Sequence, residues 1–264
     1  MQIATWNVNS LAVRLPQLLD WLAERAPDIV ALQELKLPDD RFPLEALRQA
    51  GYDAVWLGQK TYNGVALLVR APGTLHEVQR HLPGQPDEQA RLIAATVHPA
   101  GGGEPLRVVG VYVPNGQAPG SDKFAYKLRW LQSLRAWLAP QLQRHARLVL
   151  LGDFNITFDD RDVWDPEGLR ETIHCTTAER TELQALLALG LHDALRLFDP
   201  PPGTFTWWDY RQLAFVKNRG LRIDHILISD ALQPLARACQ VERALRKRPQ
   251  PSDHAPVVLT LAAT

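Results

Sequence analysis

The chain has 264 residues, 46% of them hydrophobic, enough to bury a core well above the size at which stability becomes marginal. Lys and Arg number 29, as do Asp and Glu, so the total charge advertises neither a nucleic-acid tail nor a membrane surface, while leaving room for a local basic face. The two cysteines, Cys175 and Cys239, lie far apart, which argues against a zinc knuckle or a disulfide framework and makes a reduced, cytoplasmic setting the expectation.

The opening MQIATWNVNS has no basic n-region and no long apolar stretch, so no signal peptide is expected. No stretch approaches the ~20 apolar residues of a membrane helix. The first strand is predicted over QIATW (2–6). A helix follows in RLPQLLDWLAERA (14–26), where Leu15, Leu18, Leu19 and Leu22 recur at i, i+3, i+4 and i+7. Further strands are predicted over DIVALQ (28–33), GVALLV (64–69), LIAATV (92–97) and RVVGVYV (107–113). A second helix is read over 124–145, with Pro140 kinking or ending it. After the strand RLVLLG (147–152), a third helix enters at Thr176-Thr177-Ala178-Glu179 with capping-box spacing and stops near Gly190. The last strands are IDHILIS (223–229) and VVLTL (257–261).

Strands mixed with helices in this order indicate an α/β protein. No helical pattern separates the strands between residues 52 and 113, so these are expected to pair antiparallel and give mixed sheets. Pro/Gly-rich pieces such as PGQPDEQ and DPPPGT read as surface loops, and with no composition break or internal repeat, residues 1–264 are read as a single domain.

Polar residues gather at the strand ends. The first strand runs into Asn7 and Asn9, the second into Glu34, RVVGV into Tyr112 and Asn115, and RLVLL into Asp153 and Asn155. Asp224 interrupts the penultimate strand, and Asp253-His254 immediately precede the last. Any one of these reads most simply as a turn residue or cap. Six on six strands do not, because strand ends in a layered α/β fold converge in space. Carboxylates and amides without thiolates make an oxygen-rich site suited to Mg²⁺ or Mn²⁺. Such a cation neutralises phosphate charge, an Asp held by an Asn can deprotonate water, and an Asp-His pair can present an oriented imidazole to a phosphoryl oxygen. With no G-x-S-x-G elbow and no P-loop, metal-dependent hydrolysis of a phosphate ester is the reading that uses all the parts.

The segments WNVNS, LQELK, GQKTYNGVALL, VYVPNG, LGDFN, TWWDYRQLAFVKNRGLRID and SDHAP resemble, in order and spacing, the exonuclease III family of DNA-repair nucleases, over almost the whole chain. The resemblance implies a four-layer α/β sandwich of two packed mixed β-sheets flanked by helices. It implies a Mg²⁺- or Mn²⁺-dependent enzyme acting on double-stranded DNA, with abasic endonuclease, 3′-to-5′ exonuclease and 3′-phosphatase activities in the family, and a monomer not attached to a membrane. By the same resemblance, Glu34 is expected as the principal metal ligand, with Asn7 beside it and Asp253 completing the acidic cluster. Asp153 is expected to activate or orient the attacking water and Asn155 to position it. Tyr112 is expected to contact the scissile phosphate or lie close to the nucleophile, and Asp224 to pair with His254, which faces the non-bridging phosphate oxygens.

For the substrate, the stretch from Arg211 to Arg222 carries Arg211, Lys217, Arg219 and Arg222 and no acid, interleaved with Tyr210 and Phe215. That composition suits a phosphate-tracking loop with stacking groups as well as it suits a solvated loop. Trp207, Leu221 and Ile223 stand where the family lines a pocket for an extruded abasic sugar. Asn115, Lys60, Arg91, Lys123 and Lys127 are further candidates for substrate contact. His174 replaces a small residue found in some abasic endonucleases of the family, and is expected to favour 3′-end activities over incision at abasic sites. Ser10 replaces a glycine common after NVN. A phosphodiesterase acting on other phosphate esters is disfavoured by the basic aromatic loop, and a non-catalytic scaffold by the presence of Glu34, Asp153, Asp224 and His254 together.

Overall fold

The computed structural model describes residues 1–85 and 87–262. The elements in chain order are β1 (Gln2–Asn7), α1 (Leu11–Arg25), β2 (Ile29–Gln33), α2 (Leu44–Gln49), β3 (Tyr52–Leu57), β4 (Val65–Arg70), β5 (Thr74–Arg80) and β6 (Leu92–His98). They continue with β7 (Leu106–Tyr112), α3 (Asp122–Arg144), β8 (Leu148–Asp153), α4 (Thr177–Leu187), β9 (Leu191–Asp193), β10 (Asp224–Ser229), β11 (Ala236–Val241) and β12 (Val257–Leu261). One six-stranded sheet has the order β11-β12-β1-β2-β4-β3, and the other β5-β6-β7-β8-β10-β9. The pairs β1/β2 and β7/β8 are parallel and bridged by α1 and α3, whereas β3/β4, β5/β6 and β6/β7 are antiparallel, as the missing helices required.

The sheets pack face to face, each covered outside by helices, and this explains why the strands are apolar without alternation. Ile3, Ile29, Ala31, Leu67, Val108, Val149 and Ile226 fill the space between the sheets. Their neighbours Ala4, Val30, Leu32 and Leu68 point outward against Leu18, Trp21 and Leu22 of α1. Val109, Leu148 and Leu150 do the same against Trp130, Leu131, Leu134 and Leu138 of α3 and Leu183 and Leu186 of α4.

The strands not anticipated from sequence include β5 and β11, which lie at sheet edges: β5 is largely exposed and polar, and β11 is half-exposed and built mainly of small and polar residues. The helix expected to kink or end at Pro140 continues to Arg144, with buried Leu138 and Gln141 holding the turns on either side. Thr176 and Glu179 form the expected capping box on α4. Ser10 sits at φ 86°, a conformation favouring glycine, and its hydroxyl accepts from Val13 N to cap α1. No helix among the described residues is long and apolar enough to cross a membrane.

Topology then fixes where the polar strand ends meet. β1, β2, β7 and β8 finish at one edge of the sandwich. β10 runs antiparallel to β8 with Asp224 opposite Asp153, and β12 runs antiparallel to β1, so the residues preceding β10 and β12 arrive at the same edge.

Candidate active site

Asp153 is the hub. Its Oδ2 accepts from Asn7 Nδ2 at 2.8 Å and its Oδ1 from the backbone N–H of Asn155 at 2.9 Å. Gly152 precedes Asp153 within β8, where an added Cβ would lie 1.9 Å from the Val111 carbonyl oxygen, so only glycine lets β8 lie this close to β7. Asn155 and Glu34 both adopt left-handed conformations, φ 52° and 54°, strain of a kind that gathers at functional sites. Across the ladder, Asp224 Oδ2 accepts from His254 Nδ1 at 2.8 Å, which leaves His254 Nε2 3.7 Å from Asp153 Oδ2. Thr206 Oγ1 accepts from Asp224 N, Ser252 Oγ accepts from His254 N, and Trp6 Nε1 donates to the His254 carbonyl, so the pair is held from three sides.

Burial, reinforced by Asp224, pushes Asp153 up to about 7, against the opposing influence of His254 and Asn7. For His254, burial alone disfavours the charged ring, but Asp224, Asp153 and Asp253 outweigh it and raise the imidazole to about 10. At neutral pH the trio therefore holds its own cation on His254, beside a carboxyl poised to gain or lose a proton. Burial and the nearby Glu34 and Asp153 keep Tyr112 protonated, and its hydroxyl donates to Glu34 Oε1.

Among the described residues, the one trio of His, Cys, Asp or Glu ligand atoms lying within 4.8 Å of one another is Asp153, Asp224 and His254. The expected metal residues lie differently. Glu34 accepts from Tyr112 on Oε1, and its Oε2 stands 3.9 Å from Lys36 Nζ. Asn7 is engaged at both ends of its amide, donating to Asp153 and accepting from Asn9 N. Asp253 accepts from Asn9 Nδ2 at 3.1 Å and from Trp207 Nε1 at 3.0 Å. A divalent cation fits the Glu34 side better than the trio, which His254 already neutralises in part. Glu34 Oε2 accepts no hydrogen bond among the described residues, which leaves open a carboxylate oxygen of the kind a hard cation takes. The buried Asp224 Oδ1 likewise has no hydrogen-bond partner.

Beside the trio opens a cavity of about 450 Å³ lined in part by Trp207, His174, Leu221, Arg211 and Arg219. Half-buried Trp207 thus forms wall rather than core, whereas Ile223 lies behind it in the cluster of Val163, Cys175 and Leu221. His174 is fixed by a 2.6 Å hydrogen bond from Nδ1 to the Asn155 carbonyl, and its ring centre stands 6.4 Å from that of Trp207. Lys217 and Lys60 are exposed. Arg91, Asn115 and Lys123 line a second groove, in which Arg91 lies over the Tyr112 ring at 5.1 Å.

Two expectations are corrected. Lys127 is 0% exposed and cannot reach a DNA phosphate: its ammonium pairs with Glu179 and donates to the carbonyls of Asn115 at 3.0 Å and Asn155 at 2.7 Å. It ties together the loops that carry Asn115, Asn155 and His174. Arg222 is also buried, bound by Asp162 and Asp193, and leaves the basic loop for a structural network. Sequence reasoning missed Lys36, which donates to Asn9 Oδ1 at 2.6 Å, and the exposed Trp164 at the cavity rim. A tryptophan in the charged stretch RDVWDP was the available signal for the latter.

Residues 4–254 match the family described as the Endonuclease/Exonuclease/phosphatase family. Exodeoxyribonuclease III of Haemophilus influenzae is 33% identical, the alignment covering 97% of this chain and 98% of that protein. The 3′ phosphatase NExo from Neisseria, solved with a product DNA hairpin, superposes with a TM-score of 0.95 at 47% identity, covering 100% of both chains. An AP endonuclease from Archaeoglobus fulgidus gives 0.93 at 33% identity, again over 100% of both chains.

Proposed function

We infer that this chain, which belongs to the Endonuclease/Exonuclease/phosphatase family and is a DNA-repair nuclease, acts chiefly on the 3′ ends of double-stranded DNA, as 3′-to-5′ exonuclease and 3′-phosphatase, with incision beside abasic sites the weaker activity. The likeness to NExo and the geometry of His174 support this reading.

A divalent cation, Mg²⁺ or Mn²⁺, held by Glu34, with Asn7 and Asp253 as the further ligands the family resemblance implies, would supply charge neutralisation at the scissile phosphate. The chain's own groups do the rest. Asp153, near 7, accepts a proton from the attacking water as the water oxygen bonds to phosphorus and the P–O3′ bond breaks, the 3′-oxygen leaving with the bonding pair and taking a proton from solvent to become the 3′-hydroxyl. Asn155 orients that water from the loop after β8. His254, charged and aligned by Asp224, donates from Nε2 to a non-bridging oxygen as charge builds there. Tyr112, a phenol held protonated, gives its one O–H proton to Glu34 Oε1 and is assigned to orienting that carboxylate beside the same phosphate. Arg211, Lys217, Arg219, Arg91, Lys123, Lys60 and Asn115 are assigned to the flanking DNA, and residues 1–264 act as one catalytic domain because both sheets contribute to the site.

The observation that carries the preference for 3′ ends is His174. Locked to the Asn155 carbonyl, facing Trp207 and lining the cavity, its imidazole is positioned to obstruct an extruded sugar within a continuous strand. A frayed 3′ terminus has no downstream strand and can enter from the open side. Three labelled duplexes, bearing an internal abasic site, a recessed 3′ end and a 3′-phosphate, are the test. Wild-type protein with Mg²⁺ should prefer the last two, and His174→Gly should gain abasic incision; no gain removes His174 as the selector.

A further inference from the structure

The cavity beside His174 is larger than a lone sugar needs. Its volume of about 450 Å³ lies within the ~300–1,000 Å³ of sites that enclose whole small ligands. Its outer wall is Trp164, which no expectation assigned and which is 40% exposed despite being a large aromatic. The backbone holds it there: Val163 bridges Leu221, and Trp164 N donates to the Gly220 carbonyl at 3.2 Å. This places Arg219 against the indole, with its guanidinium carbon 4.9 Å from the ring centroid. The same Leu221 bridges Trp207, which in turn bridges His254, so the wall is connected by backbone pairing to the phosphate-facing imidazole.

We propose that the outer half of this cavity is a nucleobase subsite, in which the Trp164 indole, braced by Arg219, stacks on the base of the 3′-terminal nucleotide. The inference rests on the 3′-end reading above and deepens it. When the terminal nucleotide is removed, the scissile phosphate lies at His254 and that nucleotide, base included, lies downstream of it, on the cavity side. When a 3′-phosphate is removed, nothing lies downstream and the cavity stays unused. Trp164 therefore governs the first reaction and not the second. Stacking is tolerant of base identity, which suits an exonuclease that takes each base in turn.

The experiment compares wild type, Trp164→Ala, Trp164→Phe and Arg219→Ala on a recessed 3′ end, on a 3′-phosphate and on a 3′-terminal tetrahydrofuran residue, which has the sugar but no base. In Trp164→Ala the ratio of exonuclease to 3′-phosphatase kcat/KM should fall about tenfold or more, the usual effect of losing one base–aromatic stack. The loss should be mainly in KM, largely restored by Phe, smaller in Arg219→Ala, and absent for the baseless terminus. A terminal 2-aminopurine, bound in EDTA, should be quenched by wild type and not by Trp164→Ala, which reads the stack without turnover. An unchanged ratio, an equal loss on the baseless terminus, or quenching that survives Trp164→Ala overturns the proposal. Absence of hydrolysis on every substrate by wild type would instead strike the nuclease reading, with the quenching result still deciding the subsite.

Discussion

His174 and Asn155 are joined by a 2.6 Å hydrogen bond in which the carbonyl can only accept, so the imidazole carries its proton on Nδ1 and leaves Nε2 bare. Burial, helped by Lys127, holds this ring neutral down to about 3. An unfolded histidine titrates near ~6.5, so between these two values the unfolded chain binds the extra proton. The contribution of neutral His174 is thus complete above ~6.5 and declines as pH falls toward 3. Urea unfolding at pH 7.5 and pH 5 should show wild type losing about 2 kcal/mol more than His174→Gln over that interval. Equal losses would mean the ring is not held neutral.

Lys127 and Glu179 form a fully buried pair. Lys127→Met leaves the Glu179 carboxylate without its counter-charge and should cost about 3–5 kcal/mol in unfolding free energy, much of it recovered in the double variant with Glu179→Gln. The salt dependence of DNA binding by the folded Lys127→Met protein should match wild type, because this ammonium faces two carbonyls and a carboxylate rather than phosphate.

Arg211 and Lys217 should behave in the opposite way. Both are exposed on the loop beside the cavity, the Arg211 side chain by 86%. Replacing either with Ala should leave stability within about 0.5 kcal/mol of wild type and reduce the slope of log K against log salt by roughly 0.9, the release of about one counterion. Anisotropy titrations on a duplex with a recessed end, in EDTA at several salt concentrations, provide the measurement.

Asp153→Asn should lower kcat/KM by about 10²–10⁴ on the recessed end and the 3′-phosphate alike, the usual contribution of a general base. Its stability should move the other way with pH. The folded Asp153 titrates near 7, above the ~3.9 of an unfolded Asp, so its contribution is present below ~3.9 and lost as pH rises through 7. Relative to wild type, Asp153→Asn should therefore gain melting temperature between pH 4.5 and pH 8; a constant difference would contradict the raised carboxyl.

The strands carrying the site were legible because both faces are buried, which writes them as unbroken apolar runs, and their polar ends stood out against that background. β5 and β11 were not, since an edge strand facing water carries polar side chains, as β5 does, or small and mixed ones, as β11 does, and loses the signal. Lys127 shows a different failure. It falls four residues before Leu131 and seven before Leu134, on the buried stripe of α3, so its position contained the information while its charge argued the other way. Arg222 sits between buried Leu221 and Ile223, and its two carboxylate partners come from segments no local pattern connects. Trp164 acquires meaning only once folding brings the segment around 163 against that around 220.

Asp153 and Asp224 occupy directly opposed positions on neighbouring strands, an arrangement that ordinarily pushes a ladder apart. The residue that reconciles them, His254, arrives from the loop before β12 and so from the other sheet. The imidazolium is therefore a rivet between the two halves of the sandwich as well as a reagent. Removing it should splay the edge at which β1, β2, β7 and β8 finish, so an inactive His254→Ala protein would report lost architecture and lost chemistry together. His254→Gln, which keeps a donor toward Asp224, is the substitution that separates the two.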